Sequence, residues 1–276
     1  MKNFAIKSDK TLDFLRSDVK FVKQRKIKSK NEEIKSLELS EVQYNKNGDR
    51  ILKCSFDDNN NLTFKQETIF KKGVKNGYIN YDVNDNIRSS GEFNFDDCGR
   101  ISSKTHNGFI EEEYRYDTNS RITRVLYPNT GDKDDYKYDI NNLVILQINS
   151  YGNEIHFKND KLGNVIEMKT YEISNRNLIL TESRNINEYG DEIESVILNE
   201  AENIIFKSTY KYEYDAKDNW ISQIAKHSSG ISFEITREID YFLEIKDEIP
   251  TMHKSNGEKS ANTKNNSMSW LKRLWS

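Results

Sequence analysis

The stretch "YKYEYDAKDNWISQ", Tyr210 to Gln223, decides how this chain is read. Its first half alternates tyrosine with charged residues, the period of a strand with two different faces. The alternation breaks at Asp215-Ala216-Lys217-Asp218-Asn219 and resumes at Trp220. Looser copies stand upstream: "YNKNGDRI" from Tyr44, "FDDNNNL" from Phe56, "YDVNDNI" from Tyr81, "FDDCGRI" from Phe95, "YDTNSRI" from Tyr116 and "YDINNLV" from Tyr138. A shifted form occurs as "INSYGNEI" from Ile148 and "INEYGDEI" from Ile186, and "NDKLGNVI" from Asn159 is a copy without its aromatic.

Each position has a physical reason. The aromatic ends a strand and packs on a pleated face. The Asp or Asn after it accepts hydrogen bonds from backbone amides two residues on, which starts a turn. The small polar residue four after the aromatic sits where a positive φ is needed. The closing Ile, Leu or Trp begins the next strand. The unit is strand, tight turn, strand. Copies start 12, 25, 14, 21 and 22 residues apart between Tyr44 and Tyr138, so whole strands are inserted between turns. Pro128 and Pro250 are the only prolines, and nearly every residue can donate to a ladder. The expectation is a mainly β protein of repeated antiparallel hairpins forming an extended, twisted or curled sheet.

The composition fits a thin architecture. Hydrophobic residues make up 35% of 276 and charged residues 32%, with mean hydropathy −0.88. That is little apolar material for a deep core. A net charge of −3 with 11% aromatics is not a disordered composition. It gives no electrostatic case for nucleic acid. Cys54 and Cys98 lack zinc-ligand spacing and point weakly to a reducing compartment, with a single disulfide left open. No window reaches the roughly 18 apolar residues of a membrane-spanning helix, and the first twenty residues lack an unbroken apolar run. The expected location is cytoplasmic, with attachment to the inner face of the membrane as a variant.

The turn pattern resembles the YD repeats of the RHS family. The resemblance rests on Tyr81-Asp82, Phe95-Asp96 with Gly99-Arg100, Tyr116-Asp117 with Arg121, Tyr138-Asp139, and Tyr214-Asp215 with Asn219-Trp220, and spans Tyr44 to Ile245. It implies a spiralling β-sheet and a bacterial protein in the company of an RHS-type toxin or secretion system, as partner or immunity factor. The chain departs from the large toxins of that family: it is too short for their closed shells and shows neither a C-terminal toxin domain nor a self-cleavage signature.

Outside the repeats, Leu12, Leu15, Val19 and Val22 are spaced by three or four, which predicts a short helix in residues 1–30 capped by Ser8 or Asp9, against a competing reading of "VKFVK" as the first strand. Residues 31–250 form the expected β domain. Residues 251–267 read as a disordered linker. The tail 268–276, "MSWLKRLWS", reads as an amphipathic helix with Trp270, Leu271, Leu274 and Trp275 on one face and Lys272 and Arg273 on the other. These six residues are the expected partner- or membrane-binding site, because exposed Trp normally has a partner.

Little in the sequence suggests catalysis. His106, His156, His227 and His253 show no ligand spacing, and no nucleophile or phosphate-loop motif occurs. Asp57, Asn59 and Asn61, like Asp82, Asn84 and Asn86, imitate the start of a calcium loop, but Leu62 and Ile87 stand where that loop needs Gly. Turn chemistry accounts for the same letters. No cofactor or metal is expected. The functional expectation is a non-enzymatic protein-binding scaffold. The alternatives are a peripheral membrane protein tethered by its tail and a carbohydrate binder. Trp220 is the candidate for sugar stacking, although it fills an aliphatic slot and therefore reads first as core.

Overall fold

The computed structural model describes residue 13 and residues 15–242. The capping positions Ser8 and Asp9, the linker 251–267 and the tail 268–276 lie outside the described residues. Eighteen strands follow one another: β1 (Val19–Lys30), β2 (Glu33–Tyr44), β3 (Arg50–Phe56), β4 (Leu62–Lys71), β5 (Val74–Tyr81) and β6 (Ile87–Phe95). Next come β7 (Ile101–His106), β8 (Phe109–Tyr116), β9 (Ile122–Tyr127), β10 (Asp132–Tyr138), β11 (Val144–Ile148) and β12 (Asn153–Asn159). The last six are β13 (Val165–Glu172), β14 (Leu178–Ile186), β15 (Glu192–Asn199), β16 (Ile204–Tyr214), β17 (Trp220–His227) and β18 (Ile231–Tyr241).

Each strand pairs antiparallel with the one before it, and β1 pairs with both β2 and β18. The sheet is therefore a closed up-and-down barrel of 18 strands rather than the expected extended or curled sheet. Closure leaves no ladder edge unpaired. From Leu15 onward the N-terminal helix is also corrected, since no helix occurs among the described residues, while residues 1–12 and 14 lie outside them. "VKFVK" opens β1. Val19 and Val22 are three apart yet both are buried. The pairing with β18 slips between Val19 and Phe21, and this bulge puts both valines on one face. A strand irregularity had produced a helix-like spacing.

The turns follow the sequence reading closely. Asp117 Oδ1 accepts from the backbone amides of Asn119 and Arg121 at 2.9 and 3.0 Å. The same geometry recurs at Asp57, Asp82, Asp96, Asp139, Asp160 and Asp215. Asn149, Asn187 and Asn199 replace the aspartate without loss of either bond. Four residues after the aromatic, φ is positive even without glycine, as at Ser120 (61°) and Asp218 (61°). Neighbouring repeats are also bolted together. Arg100 and Arg121 pair with their own Asp96 and Asp117 and stack over Tyr116 and Tyr138 of the next repeat, at 4.4 and 4.9 Å. Those tyrosines donate in turn to the carbonyls of Ile101 and Ile122.

Alternation separates two barrel faces. In β16, Ser208, Tyr210, Tyr212 and Tyr214 are shielded while Thr209, Lys211 and Glu213 are exposed. In β18, Phe233, Ile235, Arg237 and Ile239 are shielded against exposed Glu234, Thr236 and Glu238. The shielded, tyrosine-rich face is the inner one. Only seven hydrophobic residues among those described are buried, and most inner tyrosines keep part of their surface in contact with water. Two sheets collapsed on one another would bury that face almost completely. The barrel is thus hollow, as expected for rings of this strand number.

Two predictions follow from this architecture. An alanine Cβ at Gly91 would stand 2.5 Å from the Tyr78 ring and 2.7 Å from the Thr105 carbonyl. Gly91→Ala should therefore cost about 1–3 kcal/mol despite the better strand entropy of alanine, read as a lower denaturation midpoint. The carboxyls of Asp57, Asp82, Asp96 and Asp160 are held below their ordinary value, chiefly by hydrogen bonds to the turn. A lowered folded pKa means stability that is present above pH of about 4 and lost as pH falls through the folded value. The combined Asp82→Asn and Asp160→Asn variant should show a shallower acid-denaturation limb in pH melts; an unchanged limb would refute the role of these bonds.

Candidate binding site

The inner face is most elaborated at the end of the barrel where β18 finishes and β1 begins. There Asp13 and the residues Leu15 to Asp18 lie against the turns and act as a clasp. The Arg16 backbone N–H donates to Asn219 Oδ1, and Asn219 Nδ2 donates back to the Arg16 carbonyl at 3.0 Å. The Arg16 guanidinium donates to the carbonyls of Asp218 and Tyr189 and pairs with Asp191 at 3.1 Å. Asp13 takes the Tyr44 hydroxyl and Arg50 Nη2, the latter at 2.7 and 2.8 Å from its two oxygens. Leu15 is buried with Val19, Val22 and Tyr44 in a cluster flanked by Val42, Ile239 and Tyr241. Burial and the Asp13 carboxylate push the Tyr44 phenol far above its ordinary pKa. Asn219 is fully buried, and the Tyr214 hydroxyl completes the coordination of Asp191 at 2.8 Å.

Below the clasp, Arg237 stacks on Trp220 with 3.3 Å between guanidinium carbon and ring centroid. Its Nε donates to Gln24 Oε1 at 3.0 Å, while its Nη1 is buried without a hydrogen-bond partner. Desolvation lowers the Arg237 pKa from its ordinary value to about 10. Trp220 is only 6% exposed and also meets the edge of Tyr212. Beside them opens a pocket of about 480 Å³, lined among others by Tyr212, Trp220, Gln223, Arg184, Glu192 and Asn164. Arg184 is neutralised there by Glu182 and Glu192.

Elsewhere on the inner face several polar groups are engaged with one another. Asp134 accepts from Tyr127, Tyr136, Gln147 and the Ser150 amide. His227 meets the Ser208 hydroxyl at 2.6 Å and packs against Phe206 and Phe233. Burial holds its pKa below the ordinary imidazole value. Ser208 is 1% exposed, so this pair is a packed hydrogen bond and not an accessible nucleophile. His106 meets Tyr78 and His156 meets Glu154, as strand-face residues.

The six tail residues expected as the binding site, Trp270, Leu271, Lys272, Arg273, Leu274 and Trp275, lie outside the described residues, as does His253. Cys54 and Cys98 are both free thiols. The calcium-like carboxylates Asp57 and Asp82 are turned onto their own backbone. Trp220 takes the core role its slot suggested, stacked beneath Arg237 and 6% exposed. Sequence reasoning missed Asp13, Arg16 and Arg237. Arg237 had a visible signal, because it interrupts an apolar inward series in "ISFEITREIDY".

No protein-family model matches this sequence, and no curated protein does. Among solved structures, TcdB2-TccC3 without its hypervariable C-terminal region aligns with 73% of this chain at 8% identity and a TM-score of 0.38, and the chain spans 15% of that one. A porin-like protein from Bacteroides uniformis aligns over 82% of this chain and 99% of its own at 9% identity and TM-score 0.43. The LolA superfamily protein NE2245 from Nitrosomonas europaea covers 84% and 90% at 9% identity and TM-score 0.28. At these scores none of the likenesses bears on function.

A buried arginine with an unmet donor contributes little to stability, whereas the ring beneath it fills space. Arg237→Met should leave the melting temperature equal or higher, and Trp220→Ala should cost about 3–5 kcal/mol. A large loss on Arg237→Met in thermal melts would mean the guanidinium is a structural keystone instead.

Proposed function

We propose that this protein is a non-enzymatic binding barrel that takes up an extended segment of another protein along its tyrosine-lined inner face. The observation that carries this reading is the asymmetry of the two faces. The outer face of β16 and β18 presents Lys207, Lys211, Glu213, Glu234 and Glu238. A lipid-facing barrel needs an apolar outer band, and on these two strands charged side chains stand there instead. The inner face presents tyrosines that are half-shielded but still wetted, and tyrosine offers large, rigid, amphipathic contact at low entropic cost. The barrel has no ladder edge to lend, which removes strand addition as the mode of recognition and leaves the interior and the rims.

The absence of catalysis is part of the proposal. Its support is that Ser208, which is buried, and His227 are bonded to each other, and that Asp134 is buried and held by four donors of its own. An RHS-type toxin or secretion component is the partner class suggested by the turn motif. The test is site-specific photocrosslinking in native cells with p-benzoylphenylalanine. Placed at Tyr210 on the inner face, it should capture a discrete protein partner; placed at Thr209 on the outer face, it should not. Equal capture from both positions, or capture from Thr209 alone, would overturn the inner-face reading.

A further inference from the structure

We infer that two copies of this chain pair about a two-fold axis through turns at the end of the barrel opposite the clasp. This inference is independent of what the barrel carries in its interior. β1 starts at the clasp, so each odd-numbered strand of the meander runs away from it, and the turns after odd strands lie at the far end. Three of those turns stand side by side: 149–152 between β11 and β12, 173–177 between β13 and β14, and 200–203 between β15 and β16. The first two are joined by the Ile173 amide, which donates to the Gly152 carbonyl at 3.2 Å. At this end large apolar side chains face water. Tyr151 is 87% exposed, Ile204 62% and Ile205 57%. Ile173 and Ile179 are also exposed, and with Tyr151 they line a cleft of about 560 Å³. Monomeric proteins rarely leave a contiguous apolar patch of this kind uncovered.

The charges around the patch complement themselves. Arg176 in the middle turn and Glu200 and Glu202 in the third are exposed, and none of these side chains has a hydrogen-bond or ion-pair partner among the described residues. Arg176 and Glu202 also hold left-handed backbone, with φ of 59° and 60°, where sibling turns place Gly163, Asn142 or Ser120. Long side chains adopt that conformation at a cost, and no contact within their own chain offsets it. A two-fold interface must match one patch to itself. Opposite charges on adjacent turns meet that requirement. With the axis between turns 173–177 and 200–203, Arg176 of each copy faces Glu200 and Glu202 of the other, and Ile173 and Ile179 face Ile204 and Ile205. Two glutamates against one arginine leave these turns net negative, which favours a second copy over an anionic lipid surface as the occupant.

Sedimentation velocity of the full-length protein over a concentration series tests this. Wild type should show a reversible monomer–dimer equilibrium. Arg176→Glu, and separately Glu200→Arg combined with Glu202→Arg, should each weaken self-association about tenfold by setting like charges face to face. An equal mixture of the two variants should restore the dimer, because a two-fold contact then pairs acid with base at both of its halves. Ile205→Asp should abolish pairing through the apolar centre, and Ile204→Asp takes its place if that variant does not fold. All these positions are exposed, so melting curves should match wild type. A wild type that stays monomeric throughout the series, charge variants that associate as wild type does, or a mixture of the two folded variants that stays monomeric would overturn the inference.

Discussion

An antiparallel meander satisfies the ladder groups of every strand except the outer edges of its first and last, and those two edges govern this protein. β1 meets β18 over nearly its whole length and meets β2 on its other side. Once that seam is closed, the sheet has an inside and an outside, and the alternation of each strand acquires a meaning. Among the described residues, the hydrophobic cluster of buried side chains gathers at this seam, around Leu15, Val19, Val22 and Tyr44. The clasp sits over the same place. Apolar packing is therefore concentrated where the barrel must be held shut, while the remaining circumference relies on ladder hydrogen bonds, turns and stacked Arg–Tyr pairs. A composition with only 35% hydrophobic residues can sustain such a structure because it has little core to fill.

The turn chemistry was legible in the sequence almost residue by residue. The aspartate that accepts two amides and the positive-φ position four after the aromatic both stand where the letters implied. Local rules suffice for this, since a hairpin turn is specified within seven or eight residues. Closure was not legible. It depends on a pairing between Val19–Lys30 and Ile231–Tyr241 separated by some two hundred residues, and no local pattern distinguishes a strand with two partners from one with a single partner. The bulge at Val19 compounded the difficulty by imitating a helical spacing.

The candidate site divides in the same way. Trp220 could be assigned to the core by comparison with its sibling repeats. Arg16 could not be singled out, because its partners Asp191, Asp218 and Asn219 come from distant turns brought to one rim. The expected cytoplasmic setting rested on a missing apolar leader, and the barrel lends it no support.

Closure of the ring is the claim on which everything else rests. Arg25 of β1 stands opposite Thr236 of β18, and both are exposed. With Cys54 and Cys98 replaced by serine, cysteines at Arg25 and Thr236 should form an intramolecular disulfide under mild oxidation in folded monomer, since paired strand residues stand at about 4.5–5.5 Å between Cα atoms. Persistent free thiols, or crosslinking only between chains, would contradict a closed barrel.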